Sequence, residues 1–164
     1  MDITVIAESS GDGLHPVTAQ LVGAAVSIGG TPTLLCAGGV GATEAASIAG
    51  VTKVISVEGE CFETFDGGAW AEALNSVAGG EVIMAAASAS GREIAATIAA
   101  MRGIPVVQDT TGLVAGPKIA VTRPIYSGKV RRLKPQPWTL HAQSPCGPMH
   151  SKPQSREVRP RLAL

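Results

Sequence analysis

The stretch 82-VIMAAASASGREIAATIAAMRGIPVV-107 decides how the chain is read. Val82 to Ala87 is an apolar run bounded by Gly79-Gly80 and by a Ser/Gly turn, the pattern of a strand buried on both faces. Ile94, Ile98 and Met101 then recur at helical spacing and predict a helix with these three residues on one face. Gly103 and Pro105 stop it before the strand Ile104 to Val107. A strand, a helix and a second strand in this order predict a parallel unit with a right-handed crossover.

Working outward, the same alternation recurs upstream. Ile3 to Ala7 reads as a first strand. Pro16 then opens a helix whose apolar face is Val17, Leu21, Ala24, Ala25 and Ile28. Thr33 to Ala37 and Lys53 to Val57 read as further strands, with a short helix at Thr43 to Ile48 between them. A helix from Gly68 to Val77 presents Trp70, Leu74 and Val77. Downstream, Ile119 to Thr122 and Ile125-Tyr126 add one or two final strands. Apolar strands alternating with helices define the fold class expected here: α/β, a three-layer, Rossmann-like, mostly parallel sheet with helices on both faces. The chain is 45% hydrophobic but only 3% aromatic, so cohesion has to come from Val, Ile, Leu and closely approaching Ala rather than from bulky rings.

A formal net charge of zero conceals a division. Residues 1–129 carry twelve acidic and six basic side chains, a balance of −6, whereas residues 130–164 carry seven basic and one acidic, a balance of +6. Nineteen of the twenty glycines lie in the first part and six of the eleven prolines in the second. The composition therefore predicts a folded body over 1–129 and a basic, Pro-rich tail over 130–164, disordered or loosely attached, with Trp138 as its one anchor. The tail's Arg and Lys residues could contact an acidic partner or nucleic acid, of which nucleic acid is not the expected partner. His141, Cys146 and His150 form half of a metal-site pattern without a fourth ligand.

The N-terminus lacks the basic flank of a secretory signal, and the apolar runs fall far short of a membrane span. Cys36, Cys61 and Cys146 are odd in number and widely spaced, so neither a disulfide framework nor a Cys-x-x-Cys site is indicated. These features predict a cytoplasmic protein with no membrane insertion.

In an open α/β sheet, ligands bind beyond the carboxyl ends of the strands. The richest loop there is Ser88-Ala89-Ser90-Gly91-Arg92-Glu93. Ser90 and Glu93 have the spacing of a capping box, which is a purely structural role. Ser88, Ser90, Gly91 and Arg92 also bring hydroxyls, a close backbone approach and a guanidinium to a positive helix end, a combination suited to phosphate. The helix end itself supplies about 0.3–1 kcal/mol, against the roughly 4 kcal/mol of a millimolar ligand. Arg92 and a second loop therefore carry most of any such site. Asp109 and Thr110 supply that loop, either orienting a ligand or satisfying the backbone amides of a turn. Gly39-Val40-Gly41 and Gly11-Asp12-Gly13 lack the third glycine of a dinucleotide fingerprint. His15 reads as a capping residue and Cys36 as a small buried apolar one. No nucleophile and base are paired in the pattern, so no catalytic residue is expected.

The order of elements, the segment Ser88 to Glu93, Asp109 at a strand end, and Arg123-Pro124-Ile125-Tyr126-Ser127-Gly128-Lys129 together resemble the N-terminal domain of the electron-transfer flavoprotein alpha subunit. Val5-Ile6-Ala7-Glu8 and Pro16-Val17-Thr18 are similar to that domain's opening, and the resemblance spans about residues 1–130. It implies a domain of the adenine nucleotide alpha hydrolase type. In full-length subunits this domain is joined to a C-terminal domain that holds FAD and is paired with a beta subunit that binds AMP. The chain ends where the FAD-binding domain would begin, so the expectation is a truncated scaffold for subunit association, with no flavin contact carried over to any residue. Its expected partner is a beta-type subunit or a second copy of itself. The alternative is a small module that binds AMP or another adenine nucleotide through Ser88 to Arg92.

Overall fold

A computed structural model describes residues 1–116, 118–125, 130–135 and 139–142, with side chains to residue 124. The central layer is a six-stranded parallel sheet made of β1 (Asp2–Ile6), β4 (Thr31–Ala37), β5 (Lys53–Val57), β6 (Val82–Ala86), β7 (Val106–Thr110) and β11 (Thr139–Ala142). Its order is β5-β4-β1-β6-β11-β7. Four helices connect the strands: α1 (Val17–Ser27), α2 (Ala42–Ala46), α3 (Gly67–Val77) and α4 (Ala89–Arg102). A two-residue ribbon, β2 (Ser9–Ser10) with β3 (Gly13–Leu14), follows β1. A second, antiparallel sheet is ordered β10-β9-β8 from β8 (Gly112–Val114), β9 (Ala120–Ile125) and β10 (Val130–Pro135).

The alternation of side chains along each strand divides the core in two. On β6, Val82, Met84 and Ala86 join Ile3 and Val5 of β1 and Leu34 and Cys36 of β4 beneath Val17, Leu21, Val22 and Ala25 of α1. Ile83 and Ala85, with Ile6 and Leu35, face Ala71 and Leu74 of α3 and Ile94, Ala95 and Ile98 of α4. α1 and α2 thus cover one face and α3 and α4 the other, the doubly wound three-layer arrangement that the sequence pattern predicts. All five β6 side chains are buried, as an uninterrupted apolar run requires. Small residues let the layers approach closely. At Gly91, in the first turn of α4, an added Cβ would collide with the Ala86 carbonyl oxygen.

The helix ends follow local chemistry. Asp66 caps α3 by accepting from the Ala69 N–H at 2.9 Å, and Gly103, at φ +63°, terminates α4 as expected. Arg102 reaches across from α4 to donate to the Ala78 carbonyl at 2.6 Å, satisfying a backbone acceptor beyond the end of α3.

Four expectations need correction. Met101 does not share the buried face of Ile94 and Ile98: it is 48% exposed, and the buried stripe of α4 runs through Ile94, Ala95, Ile98 and Ala99. Val77 is likewise exposed. The strand expected at Ile104 to Val107 sits further along, at Val106–Thr110, because its apolar start overlaps the helix stop. Most consequentially, strands do not end with the body. Val130–Pro135 pairs antiparallel with β9, and Thr139–Ala142 lies inside the main sheet between β6 and β7. Helix periodicity and composition show neither strand, because β-pairing there depends on neighbours distant in sequence. Trp138 and residues 143–164, including Cys146 and His150, lie outside the described residues.

Candidate functional site

The sheet's winding defines a crevice. From β1 the chain steps through α1 to β4 and on to β5, then returns through α3 to place β6 on the opposite side of β1. The direction reverses between β1 and β6, and a ligand of an open α/β sheet binds beyond the carboxyl ends of such a pair. Two segments meet there: Ala7-Glu8 after β1 and Ala87-Ser88 after β6.

The α4 start differs from the capping box expected of Ser90 and Glu93. Ser88 is the N-cap; its extended backbone (φ −72°, ψ 172°) lets Oγ accept from the Gly91 N–H at 2.9 Å. Glycine occupies the third helical position, so no carboxylate reaches back, and the Glu93 side chain instead lies against Gly67 at the start of α3. Ser90, two residues after the cap, sends its hydroxyl across the crevice to donate to Glu8 Oε1 at 3.0 Å, and its Oγ lies 3.2 Å from that of Ser88. Glu8 is fixed through its backbone. Its N–H donates to Thr18 Oγ1 at 3.1 Å, and its carbonyl accepts from the His15 N–H at 2.8 Å. His15 also caps α1, as expected, with Nδ1 accepting from the Val17 N–H at 3.1 Å.

The second loop is brought to the first by an ion pair. Arg92 Nη2 donates to Asp109 Oδ1 at 2.7 Å, joining the first turn of α4 to the end of β7. Asp109 has φ +56°, a left-handed backbone that Asp tolerates better than most residues through local hydrogen bonding. The neighbouring Thr110 is 2% exposed, and among the described residues neither its Oγ1 nor the buried Nε of Arg92 has a hydrogen-bond partner. Arg123 Nε, on β9, is a third buried atom of this kind. The structure therefore brings Ser88, Ser90, Gly91, Arg92, Asp109 and Thr110 to one end of the sheet. Glu8 is the member that the sequence pattern does not single out as a ligand-contacting residue. Its signal is available: an acid immediately after a strand that borders the reversal point.

These contacts set what the site can hold. Gly91 makes its close approach to the Ala86 carbonyl, and a carboxylate faces the positive end of α4. A phosphate at this helix end would have to displace the Glu8 carboxylate from the Ser90 hydroxyl. Among the described residues, no group of three or more His, Cys, Asp or Glu side chains is placed to hold a metal. Burial raises the Cys36 thiol above its ordinary value of 9.0, consistent with a packing role.

Fold and site together define a doubly wound, Rossmann-like α/β domain, with its reversal-point crevice bridged by its own side chains. The model of the electron transfer flavoprotein domain family matches residues 3–140. The chain belongs to that family, and the match runs through β10 into β11. No curated protein matches the chain significantly. Among the described residues, no helix is long and apolar enough to cross a membrane.

Proposed function

We propose that the chain is an alpha-type electron-transfer flavoprotein domain that serves as a scaffold for subunit association in an electron-carrier complex, in the cytoplasm and without catalysis of its own. The family match over residues 3–140 carries this reading. The self-bridged crevice supports it, because Glu8–Ser90 and Arg92–Asp109 occupy the groups that a ligand would use. The flavin is then held elsewhere in the complex. Coexpression with a beta-type subunit tests the reading. Copurification of the two chains is expected, with no stoichiometric FAD on this chain alone; failure to associate, or a purified chain that is yellow by itself, would refute it.

A second reading is favoured by the Thr110 hydroxyl and Arg92 Nε, which are buried without a hydrogen-bond partner among the described residues. AMP or another adenine nucleotide binds at Ser88, Ser90, Gly91 and Arg92, with Asp109 and Thr110 beside them. The phosphate would displace the Glu8 carboxylate from Ser90. Under this reading AMP raises the melting temperature and Arg92→Ala abolishes the rise; no rise with the unmodified protein eliminates it.

A further inference from the structure

Three buried donors without a hydrogen-bond partner among the described residues lie along one run of linked contacts: Nε of Arg92, Oγ1 of Thr110 and Nε of Arg123. Arg92 holds Asp109 through Nη2, and Thr110 follows Asp109 at the end of β7. The next residue, Thr111, donates its N–H to the Thr122 carbonyl at 2.8 Å, which puts Arg123 of β9 one residue from that bond. The junction of the main sheet with the antiparallel sheet therefore gathers donors whose capacity is unspent. A buried donor without an acceptor is costly, and an ion that supplies the acceptor is one physical reason for its retention.

Charge points to the same class of ligand. Residues 110–135 carry six basic side chains and no acidic one. In the ladder of β9 and β10, Arg132 stands directly opposite Arg123, a placement of like charges that destabilises a sheet and that a bound anion offsets. The nearest acid before this segment, Asp109, already accepts from Arg92. The junction thus differs from the start of α4, where Glu8 holds the Ser90 hydroxyl.

We propose that the junction between β7 and β9 is a phosphate-binding site, in which Thr110 Oγ1 and the Arg123 guanidinium donate to the phosphate oxygens and Arg132 adds a second positive charge. Guanidinium groups and a hydroxyl together suit a phosphate through charge-assisted hydrogen bonds. Arg92, tied to Asp109, brings its buried Nε to the same end of β7. The site is separate from the helix end invoked for AMP, and it requires neither a partner subunit nor displacement of Glu8. Its ligand is either the free ion or the phosphate of a monoester.

Thermal unfolding of the full chain is followed in inorganic phosphate and in sodium chloride of matched ionic strength, so that screening is equal in both. At about 20 mM, phosphate should raise the melting temperature by several degrees beyond chloride, as a site of about 1 mM affinity requires. Arg123→Gln should weaken phosphate about tenfold or more, the loss of a charge-assisted contact. Thr110→Val keeps the buried shape, removes only the hydroxyl, and should lower phosphate affinity severalfold with the circular dichroism spectrum unchanged. Lys118→Gln removes the same charge from an exposed position and should change phosphate affinity by less than about twofold. AMP separates the two sources: tighter binding than phosphate, removed by Arg123→Gln, identifies a monoester, and equal or weaker binding identifies the free ion. No rise beyond that in chloride overturns the proposal. So does a rise that Arg123→Gln and Thr110→Val both retain, or one that Lys118→Gln removes equally, because such a rise comes from the general basic charge. AMP stabilisation lost in Arg92→Ala but kept in Arg123→Gln would uphold the helix-end reading and overturn this one.

Discussion

The Ser90 hydroxyl donates to Glu8 Oε1 at 3.0 Å, linking residues 82 positions apart across the point where the sheet reverses direction. Glu8→Gln removes the negative charge facing α4 while keeping the side chain's length and an acceptor. AMP affinity is expected to rise several-fold by isothermal titration calorimetry if the crevice is a masked nucleotide site. Unchanged, undetectable binding in both proteins leaves the scaffold role alone standing.

The Arg92–Asp109 pair is short but half in water, with side chains 42% and 32% exposed. Screening limits its coupling to about 0.2–1 kcal/mol. A double-mutant cycle with Arg92→Ala and Asp109→Asn, followed by urea unfolding, should return a value in that range. A coupling above about 2 kcal/mol would mean that Arg92 is held by more than this carboxylate.

Two glycines in helices should respond in opposite directions. Gly91→Ala forces a methyl against the Ala86 carbonyl oxygen, and overpacking of this kind costs about 1–3 kcal/mol. Gly23, in α1, has nothing within 4 Å of an added Cβ, so Gly23→Ala should stabilise by about 0.5–1 kcal/mol through helix propensity and a less flexible unfolded chain. Thermal or urea unfolding reads both signs.

The Cys36 thiol is buried and its titration is raised by desolvation. A raised folded-state value means that its contribution to stability is complete below the ordinary value of 9.0 and is lost as pH climbs through the higher one. Cys36→Ala should therefore flatten the alkaline limb of the stability profile. A thiol reagent at neutral pH should label the exposed Cys61 rapidly and Cys36 only on unfolding.

Removing residues 130–164 tests the boundary that composition suggests. The deletion strips β10 from β9 and vacates the slot between β6 and β7, so the melting temperature should fall by more than about 5 °C. A melting temperature equal to that of the full chain would show that the body ends at Lys129 after all.

The layer architecture was legible because it rests on short-range pattern. Val82 to Ala87 could only be a doubly buried strand, and Ile94 and Ile98 could only face it. Met101 shows the limit of periodicity: it keeps the helical spacing but sits in the last turn of α4 and is exposed. The site residues were legible as a group, because loops after parallel strands converge whatever their sequence. Their pairing was not. Which serine caps α4, and that Glu8 reaches Ser90, depend on the geometry of the crevice rather than on spacing along the chain. β11 was the least legible element, since a four-residue strand placed by its two neighbours carries almost no signal of its own.

The Trp70 indole donates to the Cys61 carbonyl at 2.9 Å and to the Thr64 carbonyl at 3.2 Å, and it meets Phe62 and Phe65 edge-on with ring centroids 5.2 and 5.1 Å away. An indole so held is an intrinsic optical gauge of the loop before α3. With only one other tryptophan in the chain, Trp138, the substitution Trp138→Phe leaves a single emitter. Its wavelength and quenching then report whether a binding partner, pressing on that side of the sheet, loosens or tightens the segment from Cys61 to Asp66.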